Sequence, residues 1–304
     1  MNTGIAIVLN DTLSGNSVLG NVTFIESVEH KIARLTNNYC EALGTNIYAE
    51  QIRALFTSIV SGGIDTKLYG LYPILGDTIL KQKINAINPG VFDLNLGANA
   101  SASEKGLLFS QGIAVGDMTQ NTEKVGNGHS LSQLSVIYAD NLLQNGSCVS
   151  FYAKTIENNN QSGIWLGTEL AGTPATRKYI TFRRTSNLSR IHNTIGSSPS
   201  CFIIRFDSNG ITIQFNSDEP ITSAFDFSGS IYETYANNAL GYNMTQSAAT
   251  GTSGESTTSA AERTNLFGGH VYFHALGDLS LVELSTLKNA VSAFLASVKQ
   301  IDIL

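Results

Sequence analysis

The sequence predicts a mainly β protein in which one antiparallel sandwich follows a short β-prone arm and two helices and precedes a C-terminal helix. From Lys83 onward, short segments alternate apolar and polar side chains, as strands with one buried face do. Turn residues separate these segments, and no helical pattern comes between them, which favours antiparallel pairing over βαβ units. Before residue 62 and after residue 278, apolar side chains recur at spacings of three and four instead.

The N-terminal arm is short and β-prone. Residues 4–9 form an apolar run, and residues 21–25 form a second one after a turn-rich stretch. An isolated pair of strands is marginally stable in water. We therefore expect the arm to pair either with the rest of the chain or with a neighbouring subunit.

An apolar stripe at helical spacing follows the arm and consists of Ile25, Val28, Ile32, Leu35, Tyr39 and Ala42. Gly44 is suited to end this helix. A second helix ends at residues 61–63 and has an apolar face of Ile47, Ile52, Leu55, Phe56 and Ile59. Both stripes are explained by packing against the sandwich. The alternative is that the first stripe is an oligomerisation seam, with its coiled-coil-like spacing at Ile25, Val28, Ile32, Leu35 and Tyr39.

The remaining elements follow from local signals. Residues 64–80 predict a short helical turn and then a loop from Pro73 to Gly76, and Asn209-Gly210 is the clearest hairpin signal. Residues 244–263 predict a long surface loop. A last helix begins at Asp278 or Ser280. The predicted strands are 91–96, 107–109, 134–139, 149–155, 164–166, 179–183, 201–206, 211–216, 222–227 and 271–276.

Charge and cysteine content exclude several classes of function. The net charge is −6 and only 14% of residues are charged, whereas nucleic-acid binding needs clustered cations. Three cysteines, Cys40, Cys148 and Cys201, lie far apart, which predicts free thiols rather than a disulfide framework or a zinc site. No basic leader and no apolar run of about 20 residues is present, so we expect neither a signal peptide nor a membrane partner.

The sequence also lacks the patterns of catalytic and metal sites. Glycoside hydrolysis needs two carboxylates across the scissile bond, and Asp218 and Glu219 are adjacent in a turn, so on a strand they would face opposite ways. His270 and His274 lie on a predicted strand about 13 Å apart, too far to share one ion. We therefore predict no catalytic residues, no metal and no cofactor.

Carbohydrate binding requires aromatic rings beside neutral polar groups, because sugars offer apolar faces ringed by hydroxyls. The single tryptophan, Trp165, follows a polar run and is one candidate, although packing in the core is the favoured explanation for it. A second candidate is a loop-like stretch that combines tyrosine with asparagine: Tyr232, Tyr235, Asn237, Asn238 and Tyr242.

Two segments carry a resemblance. The first has the matching residues Ile59-Val60, Gly63-Ile64, Lys67-Leu68, Leu71-Tyr72-Pro73, Gly76, Lys83 and Asn85, and the second has Ala275, Gly277, Leu279, Leu284, Leu287, Val291 and Phe294. With the strands between them, residues 49–304 resemble phage virion proteins that carry a concanavalin-type, lectin-like jelly roll. The matched motifs are structural, so the resemblance assigns no binding residue.

This resemblance implies a virion structural protein of the tail-fibre, head-fibre, collar or capsid-decoration kind, made in the bacterial host cytoplasm and localised in the virion. It further implies a homo-oligomer, with a trimer favoured. Residues 1–80 would attach to other virion proteins, and residues 81–304 would display the sandwich to a host surface glycan. The alternative is a carbohydrate-binding adhesin without a virion role, and an enzyme acting on glycans is a third and less favoured hypothesis.

Overall fold

Two large antiparallel sheets and a layer of helices make up the fold. The computed structural model describes residues 6–9, 22–96, 100–110, 114–116, 130–141, 146–155, 161–171, 177–183, 188–192, 198–207, 210–224, 232–240 and 268–303. Within these ranges every strand pair is antiparallel. The prediction of a mainly β, antiparallel protein with helices is confirmed, and the two sheets are consistent with a sandwich.

Three helices begin or end where local signals predict. Helix α1 (Val28–Leu43) starts after Ser27, whose hydroxyl accepts a hydrogen bond from His30 N, and stops at Gly44 with a left-handed φ of 66°. Helix α2 (Ala49–Ser61) ends before the predicted glycines. A 3-10 turn at Asp65–Lys67 and the short α3 (Ile79–Gln82) follow. Helix α4 (Leu281–Lys299) begins with a capping box formed by Ser280 and Glu283.

The larger sheet has eight strands. They are β3 (Leu68–Tyr72), β5 (Ala100–Ala102), β6 (Leu107–Ser110), β8 (Leu131–Asn141), β13 (Ser200–Asp207), β14 (Gly210–Phe215), β15 (Ile221–Ala224) and β17 (Gly268–Gly277). Their order is β15-β14-β13-β8-β17-β6-β5, and β3 pairs with the second half of β17. The predicted hairpin is confirmed, since β13 and β14 pair with Asp207 opposite Gly210.

A second sheet has seven strands. They are β4 (Leu94–Leu96), β7 (Ala114–Gly116), β9 (Gly146–Thr155), β10 (Gln161–Ala171), β11 (Arg177–Arg183), β12 (Leu188–His192) and β16 (Tyr232–Leu240), in the order β12-β11-β10-β9-β16-β7-β4. The N-terminal strands β1 (Ala6–Leu9) and β2 (Val22–Ile25) pair with each other. In β1, β2, β7, β9 to β12 and β16 the description covers the backbone only.

Both faces of the eight-stranded sheet are buried. On one face, Leu134, Ile203 and Phe273 join the apolar sides of α1, α2 and α4 in one core, where the rings of Phe273 and Phe294 meet edge to face at 6.1 Å. On the other face, alternate residues of the same strands are also buried: Ile137, Phe202, Ile204, His274 and Leu276. The central strands of this sheet are therefore covered on both faces, and the consecutive apolar residues 201–204 of β13 fit such a position.

Helix α4 is long and apolar enough to cross a membrane by length and composition alone. Its apolar side is buried, however, against α2 and the sheet, through Leu284, Leu287, Val291, Phe294 and Leu295. An ammonium from the same helix, Lys288 Nζ, donates to the carbonyl of Asn216. This is the environment of a core helix.

The same core contains most of the stripe on α1. Ile32, Leu35 and Tyr39 are buried within the chain itself, so packing accounts for them. Val28 is 54% exposed, and Ile25 lies in β2, where the side chain is outside the described residues. Oligomerisation through this stripe stays a prediction. The core also crosses the boundary that we drew after residue 80, because α1 and α2 pack with α4 and the sheet.

Five strands, β3, β5, β7, β12 and β16, have no counterpart among the predicted segments, and for two of them a different structure was expected. Residues 68–72 were expected to belong to a helical turn and loop, but they form β3, which pairs with β17. Residues 232–240 were expected to be loop-like, but they form β16, which pairs with β9 and β7. The predicted loop at residues 244–263 lies outside the described residues.

Candidate functional site

Five of the six predicted sugar-binding residues fall on two strands of the seven-stranded sheet, β10 and β16, which flank β9. Strand β9 lies between β10 and β16, and its Ser150 is opposite Trp165 on one side and Ala239 on the other. Asn237 and Asn238 are opposite the next residues of β9, Tyr152 and Phe151. The two segments are therefore two strands, or about 10 Å, apart along the same stretch of sheet. Tyr232 and Tyr235 belong to β16, and Tyr242 lies outside the described residues.

A cleft of about 740 Å³ lies elsewhere, between the helical layer and the edge of the eight-stranded sheet. One wall is the turn between α1 and α2, with Thr45 and the half-buried ring of Tyr48. The opposite wall is the turn between β5 and β6. The loop from Ile74 to Asp77 forms the floor, and Val298 and Lys299 close the back. The volume is in the range of small-molecule sites.

The floor loop has an unusual backbone. Ile74 is buried at 1% exposure and has a φ of 54°, a left-handed conformation that β-branched residues very rarely adopt. Gly76 has a φ of 104°, and a Cβ there would lie 2.5 Å from Lys81 Cβ, so only glycine fits. For a residue other than glycine, such as Ile74, a left-handed φ costs about 1–3 kcal/mol and persists only where surrounding contacts impose it.

The wall formed by β5 and β6 is a tight hairpin. Its strands close with Ala102 opposite Leu107, and the Ser103 hydroxyl both accepts from Gly106 N (3.1 Å) and donates to Gly106 O (2.7 Å). Glu104 and Lys105 occupy the two-residue turn. Gly106 is required because a Cβ would lie 2.4 Å from the carbonyl oxygen of Val271. This hairpin places Ser103 and the exposed Glu104 in the lining of the cleft.

Two side chains bridge the floor to this hairpin. Gln82 Nε2 donates to Gly76 O (2.8 Å) and to Ser103 O (2.7 Å). Lys299 Nζ donates to Ile74 O (2.8 Å) and to Lys105 O (2.9 Å), and more weakly to Tyr272 O (3.4 Å). These bridges hold the strained loop, so the shape of the cleft is fixed before any ligand arrives.

The charged side chains around the cleft differ in whether they have a hydrogen-bonding or ionic partner. Lys81 Nζ lies 2.8 Å from Asp77 Oδ1, and this hydrogen bond lowers the pKa of the Asp77 carboxyl. Burial lowers the pKa of Lys299 to about 7. Glu104 has neither an ion pair nor a hydrogen bond in the part of the chain that the structure describes. The residues that line the cleft thus carry two carboxylates, Asp77 and Glu104, and two amino groups, Lys81 and Lys299.

A serine and a histidine also meet in the eight-stranded sheet. Ser135 Oγ lies 2.8 Å from His274 Nδ1, and the ring of Tyr72 stacks on His274 with centroids 5.7 Å apart. Both residues are fully buried, and burial lowers the pKa of His274 to about 3, so the imidazole is neutral. A nucleophile at this position is out of a substrate's reach. Among the described residues, no group of three or more potential metal ligands is present.

In sequence, neither a protein-family model nor a curated protein matches the chain. Among solved structures, 77% of the chain superposes on 33% of the Trypanosoma rangeli sialidase in complex with sialic acid, at a TM-score of 0.51 and 12% identity. A mutant of the Trypanosoma rangeli sialidase displaying trans-sialidase activity is also similar, at a TM-score of 0.50 and 11% identity. The match covers 87% of this chain and 39% of the mutant sialidase chain.

Domain 4 of a GH43 extracellular arabinanase from Geobacillus stearothermophilus, in complex with arabinotriose, is covered over 98% of its length by 74% of this chain, at a TM-score of 0.47 and 11% identity. At such identities the likeness is one of fold alone. The chain spans about a third of the sialidases that it resembles.

The sequence analysis missed the cleft. Two of its local signals were visible: the Ser103-Glu-Lys-Gly106 turn and the glycine at 76. What the sequence does not show is that these turns meet Tyr48 and Lys299, which lie far away along the chain.

Proposed function

We propose that this chain is a carbohydrate-binding β-sandwich protein that acts by contact, and that the cleft beside Tyr48 is its sugar site. The observation that carries the proposal is the composition of this cleft. The half-buried ring of Tyr48, the hydroxyls of Thr45 and Ser103 and the carboxylate of Glu104 line one cavity with the loop that contains the strained Ile74. Sugars stack their apolar faces on such rings and donate their hydroxyls to such acceptors.

The fold likeness gives secondary support. The sialidase from Trypanosoma rangeli that shares this fold is described in complex with sialic acid. A shared fold does not transfer a ligand, and it supports only the class of molecule to be tested. The competing site consists of Trp165, Tyr232, Tyr235, Asn237 and Asn238 on the second sheet, and of Tyr242 as the sequence predicted it.

The groups in the cleft fit binding of a ligand better than catalysis. Glycoside hydrolysis needs one carboxyl group kept protonated as the general acid, with a raised pKa. Asp77 has a lowered pKa beside Lys81, which keeps this carboxylate ionised. Release of reducing sugar from any glycan that binds, abolished by Glu104→Gln, would reverse this part of the proposal.

The finer proposal is that the protein is a phage virion appendage with a concanavalin-type jelly roll. It rests on the resemblance of residues 49–304, and the roles of the matched residues fit a structural motif. Asn85 is fully buried, with its side chain bonded to the backbone of four residues: Tyr69, Leu71, Ile87 and Val91. Phe294 packs on the sheet. A Cβ atom on Gly277 would lie only 2.4 Å from the carbonyl oxygen of Lys67.

The sugar proposal is tested by NMR titration of the full chain with a panel of neutral oligosaccharides at millimolar concentration. Binding in the cleft shifts the amides of Ser103 and Glu104. Tyr48→Ala abolishes these shifts, and Tyr48→Phe, which retains the ring, preserves most of them. Shifts confined to the indole resonance of the single tryptophan, Trp165, would place the site on the second sheet, and the absence of any shift would overturn the proposal.

The virion proposal is tested by mass in solution. Because α1 and α2 belong to the core, the informative truncation removes only residues 1–25 and begins at Glu26. A trimeric full chain that becomes monomeric on this truncation supports assembly through the arm. A chain that is monomeric in both forms and binds no virion protein counts against the appendage.

A further inference from the structure

Strand register divides the seven-stranded sheet into two faces of different composition. Residues that are opposite each other on neighbouring strands lie on the same face, and successive residues of one strand alternate between the faces. Phe151 is opposite Ile164, and Ile180 is opposite both Thr168 and Ile191. One face of β9 to β12 is therefore mostly apolar and includes Phe151, Ile164, Leu166, Leu170, Ile180, Phe182 and Ile191.

The burial of Leu94 shows that this apolar face is the covered one. A row of opposite residues crosses the sheet from Leu94 through Gly116 and Asn238 to Phe151, so Leu94 lies on the apolar face. Its side chain is only 1% exposed. The apolar face is therefore the inner face of the sheet, as one face of each sheet is in a sandwich.

The opposite face carries a row of cationic residues on β11 and β12. Arg177 and Arg183 alternate with the apolar residues of β11, and Arg190 of β12 is opposite Thr181. Neither strand contains a carboxylate. Arg183 and Arg190 are diagonal neighbours, about 7–8 Å apart. Arg177 lies about 20 Å from Arg183 along the strand, so the row suits an extended ligand better than a single small anion.

Aromatic residues belong to the same face. Tyr179 follows Arg177 by two residues, and Trp165 lies on this face of β10. The carboxylates of the face are Glu169, opposite Tyr179, and Glu233, opposite Lys154. From β16 to β12 the face therefore has four cationic residues, which are Lys154 and the three arginines, against these two carboxylates.

Guanidinium groups bind carboxylate and sulfate through two parallel hydrogen bonds, and aromatic residues offer a surface to the apolar faces of sugar rings. Single-stranded nucleic acid is bound by similar groups. Nucleic-acid-binding domains, however, have a strong excess of positive charge, whereas the net charge of this chain is −6. An acidic glycan fits better, because the proposed function is carbohydrate binding.

Resting on the proposed function for its ligand class, we infer that β11 and β12 form a second binding surface, for linear glycans that carry carboxylate or sulfate groups. This surface belongs to the seven-stranded sheet, and the cleft beside Tyr48 lies at the edge of the eight-stranded sheet. The two sites can therefore be tested separately.

The test uses two probes that share one backbone and differ in charge, hexagalacturonate and its full methyl ester. Each is titrated into the full chain at pH 7 and low salt, and the amide resonances of Thr181 and Arg190 are followed by NMR. We expect the acid to bind about tenfold more tightly than the ester, the combined effect of three exposed ion pairs. High salt should reduce this preference.

Variants locate the preference on one face of β11 and β12. Arg183→Gln and Arg190→Gln are each expected to lower it about twofold to threefold. Lys178→Gln is the matched control, because Lys178 adjoins Arg177 on the same strand but belongs to the apolar face, and its loss changes the net charge equally. Circular dichroism checks that each variant folds, and Arg190 lies on the edge strand, where a substitution disturbs the sheet least.

Equal affinity for the acid and the ester would overturn the inference, as would an equal loss of preference in Lys178→Gln. An oligothymidylate that binds more tightly than hexagalacturonate would make the partner a nucleic acid. If neutral oligosaccharides shift the amides of Ser103 and Glu104 while hexagalacturonate shifts none on β11 and β12, this inference fails and the proposed function stands. The reverse result would support the second surface and overturn the cleft.

Discussion

Asn85 offers the sharpest test of how β3 and the segment that leads into β4 are held together. Its amide side chain is fully buried and makes four hydrogen bonds to the backbone. Oδ1 accepts from Leu71 N (3.0 Å) and Ile87 N (3.2 Å), and Nδ2 donates to Val91 O (2.9 Å) and Tyr69 O (3.3 Å). One side chain thus joins β3 to the two bends that lead into β4.

The magnitude follows from counting these bonds. A buried hydrogen bond contributes about 1 kcal/mol net, and a buried partner left unsatisfied costs about 1–3 kcal/mol. Asn85→Leu abandons all four partners and is expected to lower the free energy of unfolding by about 4 kcal/mol or more. Asn85→Asp keeps the two acceptor bonds but sets a carboxylate against two carbonyl oxygens, so about 2–3 kcal/mol is lost at neutral pH. Part of this returns in acid, when the carboxyl group can donate once.

The assay is urea unfolding followed by the fluorescence of Trp165 and by circular dichroism at pH 7 and pH 5. Asn88→Ala is the control, because Asn88 is exposed and three residues away, and its effect should stay within about 0.5 kcal/mol. A loss below about 1 kcal/mol for Asn85→Leu would refute the reasoning, since it would mean that the four backbone groups find other partners.

Three further predictions concern the cleft and the last helix. Lys299 has a folded-state pKa near 7, below its ordinary value, so above pH 7 the unfolded chain binds more protons than the folded chain. The free energy of unfolding of the wild type, relative to that of Lys299→Met, should therefore rise by about 2 kcal/mol between pH 7 and pH 9. Urea unfolding at each pH measures this difference. A flat difference would show that the lysine titrates normally. Gln82→Leu should lower the free energy of unfolding by about 1–2 kcal/mol at pH 7. Gln82→Glu should lower it by about 3 kcal/mol or more, because the isosteric carboxylate faces the carbonyls of Gly76 and Ser103. Equal losses for the two variants in thermal unfolding would contradict these hydrogen bonds. Ser280→Ala removes the capping box and should cost about 1 kcal/mol by the same measurement, whereas no change would mean that the cap is replaced by water.

The sequence was informative wherever structure depends on neighbours along the chain. Gly44 and the Ser280 cap mark helix ends because capping involves residues three or four apart. The hairpin at Asp207 and Gly210 follows from its turn chemistry. Strand β3 was missed because Gly70 interrupts its apolar run. The structure gives the reason for this glycine: the Tyr72 ring lies 2.7 Å from where its Cβ would be.

The cleft depends on distant parts of the chain. Lys299 and Ile74 are 225 residues apart, and their bond is one of those that fix the floor loop. The periodicity of the sequence does not show that Lys299, at the end of an amphipathic helix, donates to three backbone carbonyls. Neither Tyr48 nor Glu104 belonged to a site predicted from the sequence. Their chemistry arises only where the two turns face each other.

The position of β17 has a consequence for how the molecule is made. This strand lies at the centre of the eight-stranded sheet, yet Ser132 on its neighbour β8 and Gly277 on β17 are 145 residues apart. During synthesis, β3, β6 and β8 leave the ribosome long before β17, the strand with which all three pair. Until β17 is made, the strand edges that pair with it have no partner. Folding dominated by such distant pairings is slow and exposed to aggregation. We therefore expect nascent chains that end before residue 268 to need chaperones.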